Sequence, residues 1–269
     1  METECRADAQ LSDYAARVLE QVAVAPGCRL LTVSSPGLAR AASPGQFALL
    51  GCGTGYDPFL RRPLSFHRVD LKRGEVSFLY RVKGVGTQWL AERRRGDVIP
   101  VLGPLGRGFR HSDRGKRGLL VGAGLGAAPL LFLAERLAGQ AWSLTVLLGA
   151  TTKTGILRAD AFGRFGTVKT VTEDGSTPKK GTILDLLQEE LNGGGWDTIY
   201  ACGPRVVLKA VQEISARTGI PAQISVEERM ACGLGACLGC ACRSASSPGY
   251  LRVCREGPVF DAGEVILDD

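Results

Sequence analysis

Histidine is nearly missing from this chain of 269 residues: His67 and His111 are the only two. Neither stands at metal-ligand spacing or beside a nucleophile motif, so His-ligated metal sites and His-based acid–base triads are excluded. No Walker A loop, G-x-S-x-G elbow or H-E-x-x-H pair occurs, which removes the common hydrolase designs. Net charge is only +6, and the basic residues are scattered rather than striped, so a nucleic-acid partner is not expected. The longest uncharged apolar run, 118–134, is broken by Gly122, Gly124, Gly126 and Pro129 into strand, turn and helix, so no membrane span is expected. There is no internal repeat and no signal-peptide pattern. Cys5, Cys28, Cys52 and Cys202 therefore read as reduced thiols of a cytoplasmic protein.

Cysteine is the opposite case, with nine in all, five of them packed into residues 232–254. Cys232, Cys237 and Cys240 are spaced C-x4-C-x2-C, and Cys254 supplies a more distant fourth thiolate. That is the plant-type spacing for a 2Fe–2S cluster, whose two irons offer four terminal positions to soft ligands. Gly233, Gly235 and Gly239 let the backbone wrap closely and turn N–H groups toward the sulfurs. A structural zinc site would favour two close cysteine pairs. A disulfide framework belongs to small secreted chains, and buried free thiols rarely crowd this closely. Cys242 could replace Cys240 as a ligand, but C-x4-C-x4-C departs from the pattern, and it is read as a bystander.

With 45% hydrophobic residues the chain has material for two domains and a small cofactor module. Residues 1–13 are polar and aperiodic and are expected to form a flexible extension. Strands are expected over 18–25, 29–34, 46–50, 64–70, 76–81 and 98–102, with one helix over 87–93. Turn pairs such as Pro26-Gly27 and Arg73-Gly74 punctuate them, which predicts an antiparallel β-barrel over 14–110. The rhythm then changes to strands over 119–121, 144–148, 167–172, 198–201 and 222–226. They alternate with helices over 127–138, 155–162, 183–191 and 204–218. That alternation predicts an open parallel α/β domain over 111–226, its boundary with the barrel lying within 103–118. Residues 227–269 form the cluster module and tail.

Three stretches have the chemistry to hold anionic redox cofactors. Arg62-Pro63-Leu64-Ser65 opens a strand and can put a cation on a pyrophosphate and a hydroxyl near a flavin edge. Leu79-Tyr80-Arg81 adds a second cation, and Gly86-Thr87 opens a helix whose N-terminus suits a phosphate. Gly122, Gly124, Gly126 and Pro129 lie between a strand and a helix, the context of a dinucleotide loop. Cys202-Gly203-Pro204 ends a later strand at the carboxyl edge of the sheet, where a nicotinamide would lie. Tight strand–helix packing and a reduced core cysteine are the plainer readings of these last two. After the second α/β strand, Ala150-Thr151-Thr152-Lys153 offers no arginine cluster for a 2′-phosphate, which favours NAD over NADP.

The order of barrel, dinucleotide domain and C-terminal cluster resembles the ferredoxin-reductase superfamily. The wording is closer still to the electron-transfer subunits of NAD-linked, type B dihydroorotate dehydrogenases, over roughly residues 14–260. Arg62 to Ser65, Gly86-Thr87, Gly122 to Pro129, Thr172 to Ser176, Cys202 to Pro204, Glu228-Arg229-Met230-Ala231-Cys232 and Arg252-Val253-Cys254 carry the resemblance. It implies FAD on Arg62–Ser65, Leu79–Arg81 and Gly86-Thr87, and a 2Fe–2S cluster on Cys232, Cys237, Cys240 and Cys254. It implies a separate FMN-containing catalytic subunit in a heterotetramer of two of each. Electrons from dihydroorotate would pass singly through the cluster, pair on FAD and leave to NAD+. The superfamily often has an aromatic residue between that arginine and serine; here it is Leu64, as in this subfamily. A stand-alone or NADPH-linked iron–sulfur reductase, and a redox sensor without turnover, are the alternative functions.

Overall fold

The computed structural model describes residues 11–53, 55, 57–111 and 115–267. Cys5, the first ten residues of the expected extension, Ser112–Arg114 of the expected boundary and the final two residues lie outside the described residues. The N-terminal half is built from β1 (Ser12–Ala25), β2 (Cys28–Ser34), β3 (Phe47–Leu50), β4 (Arg62–Asp70), β5 (Glu75–Arg81) and β6 (Val98–Leu105). They close into a barrel in the order β1-β2-β5-β4-β3-β6, so no backbone edge is left unpaired. In β1 the alternation puts Ala16 and Val18 inside and Ala15 and Arg17 outside. The β1–β2 hairpin turns at Gly27, whose φ of 68° suits a residue without Cβ. Phe66 and Phe78 stack in the interior with ring centroids 5.6 Å apart.

Two short helices complete the barrel, α1 (Pro36–Ala41) and α2 (Val85–Ala91). The barrel begins earlier than residue 14: Ser12 and Asp13 pair with Gly103 and Leu102 of β6. Asp13 also takes a bidentate ion pair from Arg61 at 2.7 Å and 2.9 Å. The supposed extension thus ends in a strand, held by backbone pairing that polar composition does not reveal.

The second half contains β7 (Arg117–Ala123), α3 (Ala127–Ala138), β8 (Ser143–Ala150), α4 (Ala159–Phe162), β9 (Thr167–Thr172), α5 (Ile183–Asn192), β10 (Thr198–Cys202), α6 (Arg205–Thr218) and β11 (Ala222–Ser225). Helix α5 starts where Thr182 and Asp185 cap each other's backbone, and α6 stops at Gly219, with φ of 73°. The helix expected over 155–162 is instead a 3-10 turn at Lys153–Gly155 and the single turn of α4. Gly155 and the left-handed Arg158 (φ 64°) interrupt the apolar periodicity that suggested one helix.

Beyond the cysteine loop follow β12 (Ala241–Ser244), β13 (Tyr250–Arg252), β14 (Val259–Asp261) and β15 (Val265–Ile266). Three of them form a small sheet, β13-β12-β15, but β14 leaves it and joins the large one. The large sheet runs β14-β11-β10-β7-β8-β9, with β14 antiparallel to β11. The open parallel α/β sheet is as expected, and to its five parallel strands the tail adds an antiparallel edge. One apolar core runs through all three parts, joining Phe47, Leu49 and Leu105 of the barrel, Ile199 and Ile224 of the sheet, and Cys240, Val253 and Cys254.

Candidate functional site

The cysteine loop has almost no regular structure, and its shape comes from left-handed residues: Gly233 (φ 67°), Gly235 (80°) and Leu238 (59°). These turns aim backbone donors at sulfur. Leu234 and Cys237 N–H groups each reach Cys232 Sγ at 3.4 Å, and Gly235 N–H reaches Cys254 Sγ at 3.1 Å. Gly239 N–H approaches Cys237 Sγ at 3.5 Å, and Cys254 N–H approaches Cys240 Sγ at 3.4 Å. The donors to Cys232 pull its thiol down to about 6, whereas burial pushes Cys254 up to about 12. Cys242 behaves differently. It is buried on β12, its thiol donates to the Leu251 carbonyl at 3.5 Å, and burial raises it to about 11. Four sulfurs ringed by N–H donors, with a fifth turned away, fit the donor set of a 2Fe–2S cluster. Among the described residues no three His, Cys, Asp or Glu side chains close on a single ion. A two-iron unit does not require it, since each iron takes two thiolates.

This loop rests on the barrel at the flavin-type motif. A Cβ on Gly233 would stand 2.6 Å from Leu49 Cδ1, so loop and β3 are in direct contact. Leu49 is the cross-strand partner of Pro63, and Leu50 of Arg62. Arg252 holds the other side of the loop: it donates to the Gly235 carbonyl at 3.1 Å and is itself fixed by Glu256.

The barrel motifs meet through Arg62. A Cβ on Gly86 would lie 2.5 Å from Arg62 Nε, so the guanidinium lies against the first turn of α2. Thr87 Oγ1 accepts from Lys83 N–H at 2.8 Å and Gly84 N–H at 3.1 Å, which locks that turn. The third motif is only partly available. Tyr80 points into the barrel, its hydroxyl donating to Gln21 Oε1 at 3.1 Å, and Leu79 packs in the core between barrel and sheet. Arg81 alone of the three is exposed. A groove of about 580 Å³ flanks the far side of α2, lined by residues such as Val24, Arg29 and Gln88. None of the sequence-predicted cofactor residues lines it.

The dinucleotide motifs also converge. A Cβ on Gly126 would fall 2.1 Å from the Cys202 carbonyl, and one on Gly203 would fall 2.9 Å from Ala123 Cβ. The loop after β7 and the turn after β10 therefore touch at the carboxyl edge, and only glycine fits both contacts. Gly124 (φ 55°) faces open space there, and Pro129 is buried in the first turn of α3. His67, the extra residue of a bulge in β4, donates from Nδ1 to the Ala128 carbonyl at 2.8 Å and so ties the flavin-type strand to the first turn of α3, which follows this loop. Burial holds His67 neutral, down at about 4. Cys202 is buried, and desolvation raises its thiol strongly, with the charge of Glu227 adding to the rise. The Glu227 carboxyl is itself raised by desolvation, although its side chain remains reachable from solvent. It follows β11 at the carboxyl edge of the sheet, close enough to Cys202 for its charge to act on that thiol. The sequence reading passed over Glu227; its place two residues after the last parallel strand was the available signal.

A one-electron cluster, a two-electron flavin site and a nicotinamide loop packed this closely define one class, the iron–sulfur flavoprotein reductases of the ferredoxin-reductase fold. Residues 227–266 match the family model described as the iron-sulfur cluster binding domain of dihydroorotate dehydrogenase B. The chain is 41% identical over 253 residues to the dihydroorotate dehydrogenase B (NAD(+)) electron transfer subunit of Geobacillus thermodenitrificans, covering 93% of this chain and 97% of that one. It is 39% identical over 259 residues to the same subunit of Desulforamulus reducens, covering 95% and 98%. Among solved structures it is similar to an NADH-dependent reduced ferredoxin-NADP oxidoreductase, with TM-score 0.84 and 27% identity over 95% of this chain and 91% of that one. The chain belongs to the family of dihydroorotate dehydrogenase B electron transfer subunits.

Proposed function

We propose that this chain is the electron-transfer subunit of an NAD-linked dihydroorotate dehydrogenase in pyrimidine biosynthesis. It links the FMN of a catalytic partner subunit to NAD+ through its own 2Fe–2S cluster and FAD. The observation that carries this reading is the contact of Gly233 with Leu49, the cross-strand neighbour of Pro63, which sets the cluster loop beside the flavin strand. The cluster exchanges single electrons and nicotinamide takes two, and FAD supplies the conversion between them when bound.

The residues of the chain have distinct tasks in this reading. Cys232, Cys237, Cys240 and Cys254 hold the cluster, and Arg252 keeps the loop against them. Arg62 and the first turn of α2 hold the FAD pyrophosphate, and Ser65 presents its hydroxyl at the ring edge. Gly122, Gly124 and Gly126 let the pyrophosphate of NAD approach the backbone, and Cys202, Gly203 and Glu227 wall the nicotinamide end. At the far corner Lys153 N–H donates to Ser176 Oγ, whose hydroxyl donates to Asp174 Oδ1, so the Asp174 carboxylate stands close to the Lys153 backbone. That charge opposes a 2′-phosphate. Flavin reduction is expected to be at least about tenfold more efficient with NADH than with NADPH, a gap of roughly 1.4 kcal/mol. Steady-state kinetics with both nucleotides measures it, and a preference for NADPH would overturn this assignment.

The partner approaches at the cluster. Leu234 and Leu238 are 46% and 61% exposed, and Cys237 is exposed between them. An apolar rim around a redox centre suits a second subunit that must bring its flavin close. The complex is a heterotetramer, two of each subunit about a two-fold axis, in the cytoplasm. Aspartate at Leu234 or Leu238 is expected to weaken co-purification with the FMN subunit by about tenfold or more. Dihydroorotate-linked NAD+ reduction should be lost, while NADH oxidation by artificial flavin acceptors continues. Normal assembly and turnover in both variants would place the docking surface elsewhere.

A further inference from the structure

Past Ser65, strand β4 runs into a junction with α3 and α4 where cations collect again. A cavity of about 150 Å³ opens there, lined among others by Arg68 of β4, Leu131 of α3, and Arg158, Asp160, Arg164 and Phe165 around α4. None of these side chains belongs to the flavin, dinucleotide or cluster sets. Arg68 is committed, its guanidinium forked onto Glu135 at 3.1 Å and 3.2 Å. Among the described residues neither Arg158 nor Arg164 forms an ion pair. Glu135 neutralises Arg68 and Asp160 offsets one further cation, so the junction keeps net positive charge.

Two buried side-chain polar atoms among the described residues lack a hydrogen-bond partner: Arg158 Nε and His67 Nε2. Arg158 lines the cavity itself, and His67 is the residue of β4 that precedes Arg68. Because His67 Nδ1 donates to Ala128, its Nε2 is a bare acceptor. Arg158 is a half-buried guanidinium whose protonation is disfavoured by burial first, then by Arg164 and Arg68. Buried polar groups normally find partners, and cations drawn from water beside like charges are costly unless an anion joins them.

We propose that this junction is an oxyanion site that takes a phosphate group between Arg158, Arg164 and the outer edge of Arg68. Phosphate offers the acceptor oxygens that guanidinium forks require, and Arg158 Nε is a buried donor without a partner. The cavity has room for one such group and not for a nucleoside, so an ester would leave the rest of its molecule outside.

The test uses the holoprotein at saturating NAD+, with chloride adjusted to hold ionic strength constant. Inorganic phosphate is titrated in one arm and glycerol phosphate in the other, followed by thermal unfolding midpoint and phosphorus NMR line width. A saturable upward shift of a few degrees is expected, by mass action on the folded state. Arg158→Gln and Arg164→Gln should each weaken the response about tenfold or more. If Arg158→Gln fails to fold, the exposed Arg164 carries the test alone. A response to both probes assigns the phosphate to an ester ligand, and a response to inorganic phosphate alone to the free ion; each supports the site. A response no different from chloride, or one unchanged in the folded variants, overturns it. So does phosphate that binds only without NAD+, which would place it on the dinucleotide loop.

Discussion

Serine in place of Cys232, Cys237, Cys240 or Cys254 is expected to strip the cluster from the protein, while Cys242→Ser retains it. The four differ from the fifth in what surrounds sulfur. Each of the four accepts from a backbone N–H, which favours thiolate and in Cys254 works against the burial that raises it. Cys242 donates its proton to the Leu251 carbonyl, and a serine hydroxyl can do the same, at a cost of about 1 kcal/mol. Losing an outer hydrogen-bond partner of a metal ligand lowers affinity roughly 10–100-fold. Losing the ligand itself should exceed that and end dihydroorotate-linked turnover. Iron and sulfide analysis with visible absorbance decides the matter. Two irons retained in Cys240→Ser and lost in Cys242→Ser would show that the ligand assignment is wrong.

Gly86→Ala should separate flavin binding from fold stability. Alanine in place of glycine is favourable by up to about 1 kcal/mol in a helix interior and by less in a first turn, and Gly86 has no left-handed backbone to oppose it. The three atoms nearest its new Cβ all belong to the Arg62 guanidinium, 2.5 Å to 2.7 Å away, the far end of a long side chain. The side chain yields by swinging out of the position where a pyrophosphate needs it. A charge-assisted contact of this kind is worth about 1.5–3 kcal/mol, so FAD affinity should fall roughly 10–100-fold. The unfolding midpoint of the flavin-free protein should hold or rise. Arg62→Gln should reproduce the loss of flavin. Flavin content equal to that of the unaltered protein in both variants would remove Arg62 from the site.

The cysteine spacing, the two strand rhythms and the glycine loop were legible because each is local: a ligand pattern, a period of two, a strand–turn–helix. What the sequence hid was non-local. Nothing in Val259-Phe260-Asp261 says that it pairs with β11 rather than with its own module. Arg62 and Gly86 are separated by a strand pair and a loop, and their contact exists only in the closed barrel. Tyr80 and Arg81 are adjacent, yet strand alternation sends the first inward and the second outward. Helix α1 was missed because Pro36-Gly37 reads as a turn, although proline is also at home in a first helical turn.

The pairing of Ser225 with Val259 makes everything between them a loop pinned at its neck. Closing that neck limits how far the four thiols can wander before any iron arrives, so the entropy of gathering them is already largely met by the sheet. Cluster insertion on an already folded acceptor is the expected order, and the fold of the cluster-free chain, read by circular dichroism, checks it.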